Sequence, residues 1–527
     1  MMMALKKRTS FALLVLFLSA LSVSNPHGAI AGAEPLTAAA ATATGQSTEA
    51  ARRLYFDAEQ AEQEGDLEAA LEKYELVAQQ FPDHDLADDA LLRLARGRWL
   101  QGNVAAATEI IDRLKSNYQG SPGSAGAFVL EADMQVDRAR GVHDLQDARE
   151  TLELVPTLYG RSEYPTLEWR AQALMRTGEV SILLGEVEKA AAAFLSAIED
   201  EPASDWTADA QLGLATVLLR SGDWVSATEI LQRVVDEAEE AGTRPAVVAA
   251  ARRRLSLAHR LVVRPSLGQR PWVGTRHLQV SGTQFKDPIG VAATENGWLT
   301  LIDEGIPLVI VVDPAGTPVQ KLTAKEVRQP FFGPDGAACV TSKKSVMFPM
   351  SRLREDFSVP EGNEIKPLEN LLSGTQGIFG DWLILDEDKN QVFRFSSNGS
   401  YRDSVVGGDR SKPVDLERDY LGRIYVLDRE AERVVRLGPD GSGSVRVASG
   451  DWRRPEAIAL DELGNLYILD RDEKMVMVFN PAGQQIWAIG PSLPGGIELR
   501  SPRDIAVDGQ GRLYIADKDL PAVLVLE

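Results

Sequence analysis

The chain has one cysteine, Cys339, in 527 residues, so no disulfide can form within it. Its stability has to come from burial of apolar surface. Histidine is nearly as scarce, five in all, with only His277 in the C-terminal half. A zinc centre built from several histidines cannot be assembled there. His84, His143 and His259 are scattered without ligand spacing. Positive charge is short: 56 Lys and Arg against 77 Asp and Glu give a net charge of −21. Nothing supplies the cationic stripe that nucleic-acid binding needs, and adsorption to anionic lipid is equally disfavoured. No apolar run is long enough to span a bilayer; the longest, at 11–23, falls short. There is no Gly-x-Ser-x-Gly, phosphate loop or dinucleotide fingerprint.

What is present begins with an export signal. Lys6, Lys7 and Arg8 precede the apolar run, and Ala29-Ile30-Ala31 or Ala31-Gly32-Ala33 follows it. This order is that of a secretory signal peptide, expected over 1–33. No cysteine lies near that cleavage region, so lipid attachment is not expected, nor membrane insertion once the signal is removed. Residues 34–47, rich in Ala and Thr, are expected to form a flexible leader.

From 48 to 263 apolar residues recur at three- and four-residue intervals, as in amphipathic helices. Gly65-Asp66-Leu67 is followed by Ala70, Tyr74, Ala78 and Pro82. Gly185-Glu186-Val187 leads at the same offsets to Ala190, Phe194, Ala197 and Pro202. Gly102 and Gly222 open two further copies, and a weaker fifth pair is built around Gly141, Ala148 and Leu152. The glycine ends one helix in a left-handed turn, the alanine lets two helices approach, and the proline stops the second. This grammar resembles the tetratricopeptide repeat, and its wording around Phe81-Pro82-Asp83-His84 is similar to periplasmic members of that family. The likeness implies a solenoid whose first helices line a concave face. Counting from the glycines, that face would present Arg52, Tyr55 and Glu59, then Leu92, Arg96 and Trp99, then Gln172, Met175 and Glu179. Such residue types anchor protein interfaces. The helix beginning at Pro245, with Arg252, Arg253 and Arg254, would cap the solenoid, and 264–274 would be a linker.

A second repeat fills 275–527. Asp303, Asp386, Asp428, Asp470 and Asp517 each end an apolar run and each has a glycine six residues earlier, Gly422, Gly464 and Gly511 among them. Four have a proline fifteen residues earlier. A strand-rich repeat of roughly 42 residues means blades of a β-propeller. Six blades are counted, the second degenerate because Ser342 replaces the aspartate. The sixth lacks a strand, which the segment at His277 would supply and so close the ring. Gly464-Asn465-Leu466-Tyr467-Ile468-Leu469-Asp470, followed by Val476-Met477-Val478-Phe479, resembles the NHL repeat. The expected fold class is therefore an all-α tetratricopeptide solenoid followed by an all-β six-bladed propeller.

One aspartate per blade at a strand end is best explained as a turn device that accepts backbone amides, not as a catalytic or metal set. Asp386-x-Asp388-x-Asn390 starts like a calcium loop but has Gln391 where glycine is needed and Ser397 in place of the last glutamate. Cys339 sits in an apolar run and reads as a structural thiol. No catalytic residue, cofactor or metal site is assigned. The expected function is a non-enzymatic scaffold of the cell envelope, periplasmic or secreted, that binds a protein, peptide or glycan and no nucleic acid. The alternatives are a metal-dependent hydrolase or lyase working in the propeller channel, and a structural subunit of an envelope complex.

Overall fold

The computed structural model describes residues 38–527 apart from 203, 242–243, 363, 408–410, 420–421, 439–440 and 442. The expected signal peptide lies outside the described residues. These residues form two compact units, one of 38–139 and 143–213, the other of 140–142 and 214–527.

Eleven successive helices are seen among the described residues: α1 (Ala38–Gln63), α2 (Leu67–Gln80), α3 (Ala87–Leu100), α4 (Val104–Asn117), α5 (Pro122–Arg138), α6 (Val142–Leu158), α7 (Glu168–Leu183), α8 (Val187–Asp200), α9 (Thr207–Ser221), α10 (Trp224–Ala241) and α11 (Pro245–Ala258). Helix α1 starts at Ala38, inside the segment expected to be a flexible leader; an alanine-rich run has the highest intrinsic helix propensity. Gly65 turns the chain at φ +82° between α1 and α2, a conformation strained for any residue with a Cβ. Asp66 then caps α2, its side chain accepting the Ala69 amide at 3.2 Å.

Burial follows the repeat. Ala70, Leu71, Tyr74, Val77 and Ala78 form the inner face of α2, packed on Ala58 and Ala61 of α1 and on Ala90 and Leu94 of α3. Phe194 plays the part of Tyr74 in α8, and two glycines make room for its ring. A Cβ on Gly178 would stand 2.5 Å from that ring, and one on Gly213 closer still. Alanine normally favours a helix over glycine by about 1 kcal/mol. Gly178→Ala is expected to have the opposite sign, costing about 1–3 kcal/mol through overpacking. A chemical-denaturation midpoint that rises in this variant would show that the Phe194 slot is not tight.

The second unit carries a six-bladed propeller. Each blade is a four-stranded antiparallel sheet, and the sixth is completed from the N-terminal side of the domain. There Thr275–His277 pairs with the last strand, Arg276 opposite Val525. The degenerate second blade has its full set of strands, with the Ser342 hydroxyl bonded to Ser345 across the turn. A small hairpin after it, Ser358–Glu361 with Glu364–Pro367, is not signalled by the repeat spacing. It buries Val359 beside Phe357 and Trp382.

The division between the units differs from the boundary expected at 264. Residues from Leu214 onward, with α10 and α11, group with the propeller. The reason is electrostatic and steric. Arg253 binds Glu462 at 2.8 Å and Glu295 at 3.7 Å, and Arg254 reaches Glu462 at 3.4 Å. Arg260 donates to the Gly511 carbonyl at 3.0 Å, as does the Trp272 indole. The arginines expected to cap the solenoid instead hold α11 on the propeller. The segment 264–274 is also tied down, with the Val273 and Gly274 amides both donating to the Glu527 carbonyl.

Candidate functional site

Two arrangements come from the expected site residues and their neighbours, one in each unit. In the helical unit, the offsets counted from the glycines separate into two groups. Leu92, Trp99, Gln172 and Met175 are buried, Met175 completely. Leu92 and Trp169 close over Gly126, where a Cβ would meet both. These four pack between repeats and present no anchor to a partner. Arg52 is exposed, and Tyr55, Glu59, Arg96 and Glu179 are half-buried.

Around the half-buried group lies a set of charges not singled out in the sequence. Arg93 stands 3.5 Å from Glu59 and 3.2 Å from Glu62. The Tyr74 hydroxyl donates to Glu62 at 2.9 Å, and the Tyr55 ring meets the Tyr74 ring edge-on at 5.4 Å. Further along, Arg176 binds Asp133 at 3.3 Å and Glu179 at 2.8 Å. Burial and the neighbouring Asp88 push the Asp89 carboxyl up to about 6, against the pull of Arg93. Burial, reinforced by Arg93, holds the Arg96 guanidinium below its ordinary value. The available signal is the spacing of Asp89, Arg93 and Arg96, which puts all three on one stripe of α3. An apolar-and-aromatic criterion for a groove passes over it.

In the propeller the repeated aspartates all sit at the same strand end and accept backbone amides. Asp303 takes those of Lys286 and Asp287, Asp386 that of Asn370, and Asp428 that of Lys412. Asp470 takes those of Arg453 and Arg454, and Asp517 those of Arg500 and Ser501. Each therefore joins the second strand of a blade to the chain entering the first. Gly422, Gly464 and Gly511 lie in the turns between those strands with φ near +81°, +79° and +70°. Cys339 is buried, and burial pushes its thiol up.

Different carboxylates line the channel. Asp415 accepts from Gln329 at 2.5 Å, Ser373 at 3.0 Å, and the Leu416 and Ile458 amides at 2.7 Å. One buried carboxylate thus links four successive blades. Asp504 links the sixth blade to the first through the Val291 amide at 2.9 Å. Where the innermost strands end, a cavity of about 140 Å³ is lined by Glu295, Glu417, Arg418, Asp419, Glu462 and Asp508 among others. Burial raises Asp415 to about 6 in spite of its hydrogen bonds. Burial, with Asp415 nearby, raises Glu417 to about 8. Among the described residues no group of three or more His, Cys, Asp or Glu is arranged to hold a metal ion.

The chain is a tetratricopeptide-like helical array followed by a six-bladed β-propeller. Residues 47–197 match the family model described as YfiO, outer membrane lipoprotein. A search of curated proteins finds no significant match. Among solved structures the chain is similar to a streptogramin B lyase, at 10% identity over 48% of this chain and 97% of that one, TM-score 0.37. It is similar to a gluconolactonase from Xanthomonas campestris at 16% identity over 48% and 90%, TM-score 0.38. A virginiamycin B lyase from Staphylococcus aureus is similar at 11% over 46% and 82%, TM-score 0.35. At such identities no activity passes from those proteins to this chain. No helix among the described residues is long and apolar enough to cross a membrane.

The raised Glu417 has a consequence for stability. Its folded value, about 8, lies above the ordinary 4.5, so between those values the folded chain holds more protons than the unfolded one. Stability is then highest below about pH 4 for this group and falls as pH rises toward 8. Glu417→Gln is expected to flatten that part of a pH–stability profile and to raise the melting temperature above pH 8. A variant profile parallel to that of the wild type would show that Glu417 is solvated in the folded state.

Proposed function

We propose that this chain is a non-enzymatic scaffold of the cell envelope, periplasmic or secreted, that binds a protein or peptide through its helical repeats. The observation that carries this reading is the half-buried polar face on α1, α3 and α7. There Tyr55, Glu59, Arg93, Arg96 and Glu179 are partly desolvated while still reachable from solvent. Partly buried charges with an aromatic neighbour gain more from a partner than fully solvated ones do. The net charge of −21 favours a basic or neutral partner segment. The match to a family described as an outer membrane lipoprotein fits an envelope location. The only cysteine in the sequence, Cys339, is buried in the propeller.

Photo-cross-linking in the native host tests this. A photoreactive side chain at Arg52 or Tyr55 should capture one partner, and one at Leu195, exposed on the second helix of its pair, should not. Arg93→Ala/Arg96→Ala should abolish capture while the chain stays folded. Equal capture from both faces, or none, sinks the reading.

A second reading, a hydrolase or lyase using the channel, draws on Glu417, whose raised pKa and position on the cavity wall are what acid–base sites have. It requires metal bound in stoichiometric amount and a melting temperature lowered by chelator. Elemental analysis of the purified chain without either result removes it.

A further inference from the structure

Four arginines converge on one glutamate at the other end of the channel. Glu456 and Arg503 are each the second residue of an innermost strand, Pro455–Leu460 and Pro502–Val507. Arg454 immediately precedes the first of these strands, and Arg429 and Arg471 immediately follow the bracket residues Asp428 and Asp470. This is the end where the innermost strands begin; the arginine of α11 reaches the end where they finish. The Arg429 guanidinium donates to Glu456 at 2.8 Å and to the Pro455 carbonyl at 3.0 Å. Arg454 stands 3.5 Å from the same carboxylate, Arg503 3.6 Å and Arg471 3.8 Å.

One carboxylate cannot satisfy four guanidiniums. The last two distances are beyond a hydrogen bond, and among the described residues neither the Arg471 nor the Arg503 guanidinium donates one. The Arg503 Nε is buried with no hydrogen-bond partner among the described residues. The arginine side chains keep between 20% and 44% of their exposure, so solutes can reach them. All four share Glu456 as their contacting carboxylate, while Glu387 and Glu304 act on Arg429 and Arg503 from further off, so positive charge is concentrated here on a chain whose net charge is −21. Such crowding costs energy unless an anion offsets it. Burial and the arginines around them hold both Arg429 and Arg503 below their ordinary values. The guanidinium fork matches the oxygen spacing of phosphate, and several forks around one centre select a dianion over a single carboxylate.

We infer that Arg429, Arg454, Arg471 and Arg503 form a binding site for a dianionic phosphoryl group, with Glu456 a partial internal counter-charge that the ligand outcompetes. The group is carried by a soluble molecule or by a lipid headgroup, and both present the same oxygens.

Calorimetric titration of the full chain with inorganic phosphate at low salt tests the site. Saturable binding at one site is expected. Arg471→Ala and Arg503→Ala should each weaken it by at least about tenfold, the worth of one charge-assisted hydrogen bond. Glu456→Gln should strengthen it, a change of sign that mere loss of structure would not produce. Arg471→Gln, which keeps the first three carbons and a polar end but no charge, should weaken binding with an unchanged melting temperature, so that failure to fold and loss of the site are told apart. The inference is overturned by an absence of saturable binding, by equal affinity in Arg471→Ala/Arg503→Ala, or by weaker binding in Glu456→Gln. Sedimentation with phosphatidylcholine vesicles, with and without phosphatidate, then separates the two sources. Binding that needs phosphatidate and is lost in the arginine variants assigns the group to a lipid. Binding of free phosphate alone assigns it to a soluble ligand.

Discussion

Replacing Arg170 by alanine is expected to destabilise the helical unit by about 3–5 kcal/mol, the cost of stranding one member of a buried ion pair. Arg170 is 2% exposed, and its guanidinium pairs with Glu201, itself buried at the end of α8. It also donates to the Tyr159 carbonyl at 2.9 Å and the Tyr164 carbonyl at 2.8 Å. Glu201 accepts the Leu167 amide at 3.2 Å. One side chain thus pins the irregular segment between α6 and α7 to the pair that follows. In Arg170→Ala the Glu201 carboxylate keeps its burial and loses its cation, and two carbonyls lose their donor. A drop of about 10 °C in the melting temperature of this unit follows, at about 2–4 °C per kcal/mol for a unit of this size. Arg170→Met/Glu201→Leu should recover most of the loss, because an apolar pair of similar volume carries no desolvation penalty. Circular dichroism melts of the three chains decide it: a loss under about 1 kcal/mol in the single variant would mean that the pair is solvated.

Asp470→Ala is expected to have the largest effect in the propeller. Asp470 is 1% exposed and accepts four backbone amides, those of Arg453, Arg454, Asp472 and Glu473. Removing the carboxylate leaves these amides without an acceptor, at about 1–3 kcal/mol for each one that water cannot reach. A net loss of about 3 kcal/mol or more is expected. Asp470→Asn keeps one acceptor oxygen and should lose less. Hydrogen exchange locates the damage: the amides of Arg453 and Arg454 should lose protection first, ahead of global unfolding. Uniform loss of protection across all six blades would instead show that the bracket is not a local device. The outcome also bears on the anion site, since Arg454 and Arg471 flank this bracket in sequence and in space.

Reading the residues in order recovers the repeats and misplaces part of their surface. Glycine, alanine, aromatic and proline at constant offsets are local requirements of a helical pair, so Gly65 and Gly185 mark turns wherever the pair is placed. Groove positions are different. An offset from a turn says which residue is on a helix face, but the rotation of that helix against its neighbours depends on packing. Gly126 lets Leu92 and Trp169 sink between helices, and the face rotates so that Arg93 takes the place expected for Leu92. The allegiance of α11 is likewise invisible in its own sequence: Arg253 and Arg254 read as a polar cap until Glu462 and Glu295 are brought beneath them.

The sequence by itself determined two repeat classes, the number of blades, and the closure of the ring by a strand near His277. Each of these follows from short-range stereochemistry repeated at a fixed period. Only the tertiary structure decided where charge collects. Closing the ring turns residues spaced a blade apart, such as Arg429 and Arg471, into neighbours around one axis, and brings Arg503 from the next blade beside them. Asp415 shares hydrogen bonds with four blades for the same reason. Coulomb energy depends on distance in space and on burial. A chain that is acidic on average can therefore hold a concentrated positive site that no linear window of its residues contains.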